Sequence, residues 1–301
     1  MPEAALLASA MSLYAPKTQG TARGGSPVTT GEPTVAVLLT WFVPGAGHLY
    51  LGRPGFALIA FTVIDGLYLL GLKLSNWMGF EFLAKELRSA LAPALSPEAG
   101  NLGGFLLQMK RHGFGIGEPE PFPTWIHLGV ALTALSGVLN LCLMVQAHLD
   151  ARRPPRLAAV PIDWRRSPAF ACFLAWLVPG LGHLWQKRPV RAALVFLVLV
   201  GLLVFGTALA QGSNLSRERH FYYWGGQFLA GLPALLLETI HGHPPVRSFI
   251  PYAEAGLVMG SIAGMLNVLA MLDVYSHGEE AYLHPERAAA EPSSAPSEAA
   301  A

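Results

Sequence analysis

Residues 36–57 read AVLLTWFVPGAGHLYLGRPGFA, and residues 171–192 read ACFLAWLVPGLGHLWQKRPVRA. Aligned without a gap at an offset of 135, the two stretches share 12 of 22 positions. The shared core is Trp41, Val43, Pro44, Gly45, Gly47, His48 and Leu49 against Trp176, Val178, Pro179, Gly180, Gly182, His183 and Leu184. Apolar composition makes hydrophobic stretches look alike, but it does not put Trp, Pro, Gly and His in register. The same offset continues into Gly66 and Gly71 against Gly201 and Gly206. A second block recurs at an offset of 127, where Gly137, Leu139 and Asn140 match Gly264, Leu266 and Asn267. The chain is a tandem duplication.

Around each motif the sequence is strongly apolar. Of 301 residues, 52% are hydrophobic and 13% charged, with 20 Lys+Arg against 19 Asp+Glu. A typical globular chain carries roughly 25% charged residues. The near-neutral balance argues against a nucleic-acid binder, which presents a basic face. Cys142 and Cys172, both in apolar runs, exclude a disulfide framework and a multi-cysteine zinc site. Four runs are long enough to span a bilayer whose hydrocarbon core needs about 20 helical residues: Gly55–Leu72, Thr124–Ala147, Ala192–Ala210 and Ala255–Leu272. Two further runs, 34–51 and 169–186, carry Pro-Gly in the middle. Proline there removes a backbone donor and disturbs the preceding turn. The freed backbone groups need partners in protein or water, because lipid offers none.

The expected fold is therefore an all-α integral membrane protein. Each copy holds a broken segment, a span, a long loop and a second span. The broken segments either cross, giving six spans and an inverted repeat, or re-enter, giving four. Lys and Arg in short loops mark the cytoplasmic side. With four spans, Lys17, Arg23, Arg53, Arg152, Arg153, Arg156, Arg165, Arg166, Lys187, Arg188, Arg191 and Arg287 fall inside and the other eight of the 20 outside. With six, nine fall inside and eleven outside, so the charge count favours four spans with cytoplasmic termini. The expected organisation is a disordered segment 1–33, a membrane unit 34–148, an Arg-rich cytoplasmic linker 149–168, a second unit 169–276 and a disordered tail 277–301. No signal peptide is expected at the N-terminus. In the loops, Phe80, Leu83, Leu87 and Leu91 fall on one helical face and predict an interfacial helix. Phe221–Ile240 reads either as interfacial or as another re-entrant piece.

Few residues suggest chemistry. His48 and His183, beside Arg53 and Arg188, are candidates for a polar site at the membrane face that takes an anionic lipid headgroup; the competing reading is a cap on a broken helix. Gly45, Gly47, Gly180 and Gly182, after Pro44 and Pro179, are expected to serve a tight reversal at positive φ. Asp65, an acid inside a span, is a functional candidate, or else a protonated or internally bonded carboxyl near a helix kink; Asn140 and Asn267 are amides at span depth, expected to make interhelical hydrogen bonds. Glu254 and Asp273 are expected to be solvated at the ends of the last span, or else to pair with the other copy. Glu238, His241 and His243 lack a further ligand at useful spacing, so no metal or other cofactor is expected. No catalytic motif is present, and no enzymatic activity is expected. A membrane scaffold or assembly factor is the first expectation, with lipid handling or small-molecule transport through the two broken segments as the alternative. Protein partners are not specified by the sequence.

Residues 44–53, PGAGHLYLGR, resemble the G-x-H-R-F-Y-L-G-R signature of small two-helix membrane domains. The whole layout is similar to an uncharacterised bacterial multi-pass membrane family that pairs a V-P-G-x-G-H motif with a late span carrying Glu254, Ala263, Gly264, Leu266, Asn267, Leu269, Leu272 and Asp273. The resemblance covers roughly residues 34–276 and implies a bacterial inner-membrane protein. The second copy departs from the pattern where Gln186 and Lys187 replace Leu51 and Gly52.

Overall fold

A computed structural model of the chain describes residues 17–18, 29–83, 93–112, 121–154, 167–242 and 249–284. Apart from a two-residue antiparallel pairing of Lys17–Thr18 with Thr29–Thr30, the described structure is helical. The first copy contains α1 (Pro33–Phe42), α2 (Ala46–Tyr50), α3 (Pro54–Leu74), α4 (Leu102–His112) and α5 (Ile126–Arg152). The second contains α6 (Pro168–Leu177), α7 (Leu181–Trp185), α8 (Pro189–Leu209), α9 (Phe221–Phe228), α10 (Leu232–His241) and α11 (Ala253–Leu283). The first three helices of each copy superpose in sequence at the offset of 135, boundary for boundary. Four helices, α3, α5, α8 and α11, are long and apolar enough to cross a membrane.

Local chemistry starts and stops each element. The Glu32 carboxylate accepts from the Thr34 amide and the Ser167 hydroxyl from the Ala169 amide, each just before a proline at the first helical position. At the other end Val43 and Val178 turn extended, and the following Gly45 (φ 87°) and Gly180 (φ 90°) are left-handed, so α2 and α7 run back along α1 and α6. Gly47 and Gly182 serve a different end. They sit inside α2 and α7, where a Cβ would lie 2.0 Å from the Ala36 carbonyl and 2.4 Å from the Ala171 carbonyl. The expectation of a positive φ holds for two of the four glycines; the other two permit helix-on-helix contact.

The broken segments re-enter. Tyr50, at the end of α2, accepts from the Glu32 amide at the start of α1, while the tip between them lies at Asn140, midway along α5. The second copy repeats the path to Asn267. Both hairpins open at the same end of the bundle, so the copies are parallel rather than inverted.

A second re-entrant segment descends in each copy from the opposite end. In the second copy it is the α9–α10 hairpin: its tip carries Leu229, whose carbonyl accepts from Asn267, and it returns to pack His241 near Gly212 at the far end of α8. This decides between the two readings of 221–240. In the first copy the 3₁₀ turns 93–95 and 97–100 reach the same depth, and α4 climbs back, Gln108 donating to the carbonyls of Trp77 and Met78.

The long helices cross closely. A Cβ on Gly71 would meet the Gly129 carbonyl at 2.5 Å, and one on Gly206 the Gly256 carbonyl at 2.8 Å, a small-residue contact repeated in both copies. Between the copies Trp176, Trp224 and Phe228 pack on Val130, Ala134, Val138 and Met78. Leu58, Ile59 and Val63 on α3, and Leu194, Leu197 and Val198 on α8, face outward.

Three expectations are corrected. Phe80–Leu83 form turns rather than an interfacial helix, and Phe80 and Leu83 are buried against Phe105, Met109 and Phe221; Leu87 and Leu91 lie outside the described residues. Helix α11 runs on to Leu283, which is buried, so the tail does not begin at 277. The described part of 1–33 includes a strand pairing, and residues 1–16, 19–28, 155–166 and 285–301 of the expected disordered and linker segments lie outside the described residues.

The glycines yield a graded test. Gly66 and Gly201 face open space. Gly66→Ala and Gly201→Ala should be tolerated, or stabilising by up to about 1 kcal/mol through helix propensity. Gly47→Ala and Gly182→Ala should each reduce the folded, membrane-inserted protein and its melting temperature in detergent. Equal melting curves for the two pairs would refute the close-packing role.

Candidate functional site

The motif histidines anchor two related polar clusters at the arginine-rich end of the bundle. In the first copy the chain turns at Gly52 (φ 75°), and the Arg53 amide donates to the His48 carbonyl. The Arg53 guanidinium then pairs with Asp150, near the end of α5. His48 is fully buried, with Nε2 3.7 Å from the same carboxylate and its ring against Phe56. Gln146 Nε2 donates to Asp150 at 2.7 Å and the Tyr282 hydroxyl donates at 3.1 Å. Burial, and then the Arg53 charge, push the His48 imidazole down to about 3, so the ring is neutral.

The second copy builds the same trio with its histidine and arginine at equivalent positions and its acid at a different one. His183 Nε2 lies 3.0 Å from Asp273 Oδ2, Arg188 Nη2 lies 2.9 Å from that oxygen, and Arg191 Nη1 lies 3.2 Å from Oδ1. The repeat register puts His277 where Asp150 stands and Gln146 where Asp273 stands, so the acid has moved by one helical turn. Exposure differs accordingly: the Asp150 side chain is 3% exposed and that of Asp273 45%. Asp273 is thus bound within its own copy rather than merely solvated, whereas Glu254 is exposed in the first turn of α11.

The span-depth residues serve the fold. Asn140 Nδ2 donates to the carbonyls of Thr40 and Gly100, the tips of the two opposed segments, at 2.9 and 3.0 Å. Asn267 Nδ2 donates to those of Ala175 and Leu229 at 3.1 and 2.9 Å. The motif tryptophans make a parallel link, Trp41 to the Ala99 carbonyl and Trp176 to the Phe228 carbonyl. Asp65 accepts from Asn101, which also donates to Ser136. It lies apart from the histidines, and the repeat places Val200 at its position.

One buried pair joins the copies. Arg217 lies 2.8 Å from Glu98, both side chains 2% exposed, and its guanidinium stacks on Phe221 and Trp224. Thr133 also donates to Glu98. Asp150 carried a signal in the sequence, since each copy ends its second span with an aspartate. Glu98 and Arg217 carried none, because they occupy non-equivalent loop positions. Glu238 accepts from Trp224 Nε1 and the His241 ring contacts the Leu237 carbonyl, while His243 lies outside the described residues. Among the described residues no group of three or more His, Cys, Asp or Glu is placed to hold a metal.

A family model matches residues 35–156 and again 170–286, one match to each copy and each including its His–Asp–Arg trio; its description is "family of unknown function (DUF6677)". The chain belongs to DUF6677. In this DUF6677 protein the two matched segments correspond to the two copies and are separated by residues 157–169. No curated protein and no solved structure matches the chain.

Two measurements follow from the buried charges of this DUF6677 chain. Breaking a buried ion pair from one side costs about 3–5 kcal/mol, whereas replacing both partners is often neutral. Arg217→Met should therefore melt well below Glu98→Met/Arg217→Met; a double variant as unstable as the single would mean that the pair itself stabilises. The second concerns His48. An unfolded histidine takes up a proton below about pH 6.5, and the folded ring does not until about pH 3. The unfolded state therefore binds more protons in between, and stability falls as pH drops through that window. His48→Gln should flatten the fall in melting temperature between about pH 7 and pH 5, and an unchanged slope would assign it to other groups.

Proposed function

We propose that the protein is a non-enzymatic scaffold or assembly factor of the bacterial inner membrane, with both termini, residue 53 and the 149–168 linker in the cytoplasm. The carrying observation is that the polar groups at span depth are engaged by the fold's own backbone: Asn140, Asn267, Trp41 and Trp176 all donate to carbonyls of the re-entrant segments. Amides committed in this way hold the bundle shut rather than line a path. The orientation is supported by Arg53, Arg152, Arg153, Lys187, Arg188 and Arg191, which gather at one end of the bundle. The non-enzymatic reading is supported by the histidines, whose partners are carboxylates at that end and not a nucleophile.

Lipid handling or small-molecule transport through the paired hairpins is the second reading. It is favoured by Asn140 Oδ1 and Asn267 Oδ1, both buried and without a hydrogen-bond partner among the described residues. Such acceptors suit a polar solute that enters between the tips.

Cysteine accessibility separates the two in membrane vesicles of known orientation, in a background lacking Cys142 and Cys172. Ser136→Cys and Ala263→Cys, both fully buried, should resist a small water-soluble methanethiosulfonate from either side. Lys187→Cys should react from the cytoplasmic side only. Labelling at 136 or 263 would replace the scaffold reading with the transport one, and labelling of 187 from outside would reverse the orientation.

A further inference from the structure

The two histidine clusters have the same architecture and different charge. In the first copy Arg53 pairs with the buried Asp150, and the positions equivalent to Lys187 and Arg191 are Gly52 and Phe56. The carboxylate there is enclosed, with 3% of the Asp150 side chain exposed. In the second copy Lys187 directly precedes Arg188 in the turn, and Arg188 and Arg191 both meet one carboxylate, Asp273. Both of its oxygens are already engaged, Oδ2 by His183 and Arg188 and Oδ1 by Arg191. Arg188 Nη1 is buried and makes no hydrogen bond among the described residues. Arg191 is 61% exposed. Lys187 holds the left-handed turn (φ 60°) that glycine holds in the first copy. Two arginines share one carboxylate and a lysine adjoins them in the chain, so the corner carries excess positive charge and an unused guanidinium donor.

Its surroundings say what kind of anion fits. The side chains next to it, Leu184, Trp185, Val190 and Leu194, are apolar or aromatic and exposed. They lie on the outward faces of α7 and α8, where the lipid-facing surface meets the arginine-rich end. A cationic corner at that height meets the phosphates of a leaflet before it meets bulk solvent. Guanidinium groups bind phosphate oxygens through charge-assisted, often paired hydrogen bonds.

We infer that Lys187, Arg188 and Arg191 form a phosphate site, filled by the phosphodiester of an anionic lipid headgroup, and that the first copy has no counterpart. This goes beyond the scaffold reading and does not depend on it, since either a scaffold or a transporter can carry a fixed lipid.

Native mass spectrometry of the full purified chain tests it. The probes are phosphatidylglycerol, phosphatidylcholine and inorganic phosphate, each added to delipidated protein. The variants are Lys187→Gln/Arg191→Gln, which leaves the Arg188–Asp273–His183 contacts in place, and Lys73→Gln, an equal-sign charge removal at the other end of α3. The wild type and Lys73→Gln should retain phosphatidylglycerol over phosphatidylcholine, and the double variant should lose about tenfold in retention with an unchanged melting curve. If the double variant does not fold, Arg191→Gln alone is read the same way. Retention by the folded variant, or equal loss in Lys73→Gln, overturns the proposal. Displacement of phosphatidylglycerol by millimolar inorganic phosphate would keep the phosphate site and assign it to a soluble anion instead of a lipid.

Discussion

A helix that stops halfway through a bilayer leaves its last carbonyl groups where no water can reach them. In each copy of this protein two chain segments do so, from opposite ends, and one asparagine amide satisfies both. Asn140 joins Thr40 to Gly100, and Asn267 joins Ala175 to Leu229. A carbonyl left unpaired in such surroundings costs several kcal/mol, so the tips must meet where that amide sits. The glycine turns, the tryptophan links and the close helix crossings all keep each pair of carbonyls within reach of one asparagine on a long helix.

The sequence displayed much of this arrangement. Trp, Pro, Gly and His recurring at one offset announced the duplication, and the offset carries over to the helix boundaries because capping residues and prolines are part of the repeat. Asn140 and Asn267 were legible as span-depth amides meeting protein, for an unpartnered amide in hydrocarbon is expensive. The opposed segments were harder. The α9–α10 hairpin is apolar along both arms, and apolar residues suit an interfacial helix as well as a re-entrant one. Its equivalent in the first copy reaches the tip through two 3₁₀ turns, whose short length leaves no periodicity to read. The partners of the histidines were hidden for another reason: a charge at a span end looks solvated until a third element covers it, as α2 and the end of α11 cover Asp150.

The two copies show how one backbone tolerates different electrostatics. The turn, the histidine and the arginine sit at matching positions, yet the carboxylate has slid one helical turn along its helix. Four residues of α-helix return to nearly the same face, so either position can reach the arginine. What changes is the cover: other elements enclose Asp150, whereas the Asp273 side chain is 45% exposed. Shifting an acid along a helix face is thus a way to retune a site without moving its scaffold.

The last turn of α11 places Tyr282 on Asp150, a bond that spans 132 positions of the chain. On a ribosome adding roughly 5–20 residues per second, the acid is made roughly 7–26 s before its phenol partner. During that interval the Asp150 carboxylate lacks its Tyr282 donor and part of its polar cluster is uncovered. Its maturation is therefore timed by synthesis of the second copy, which serves the first as a built-in folding companion.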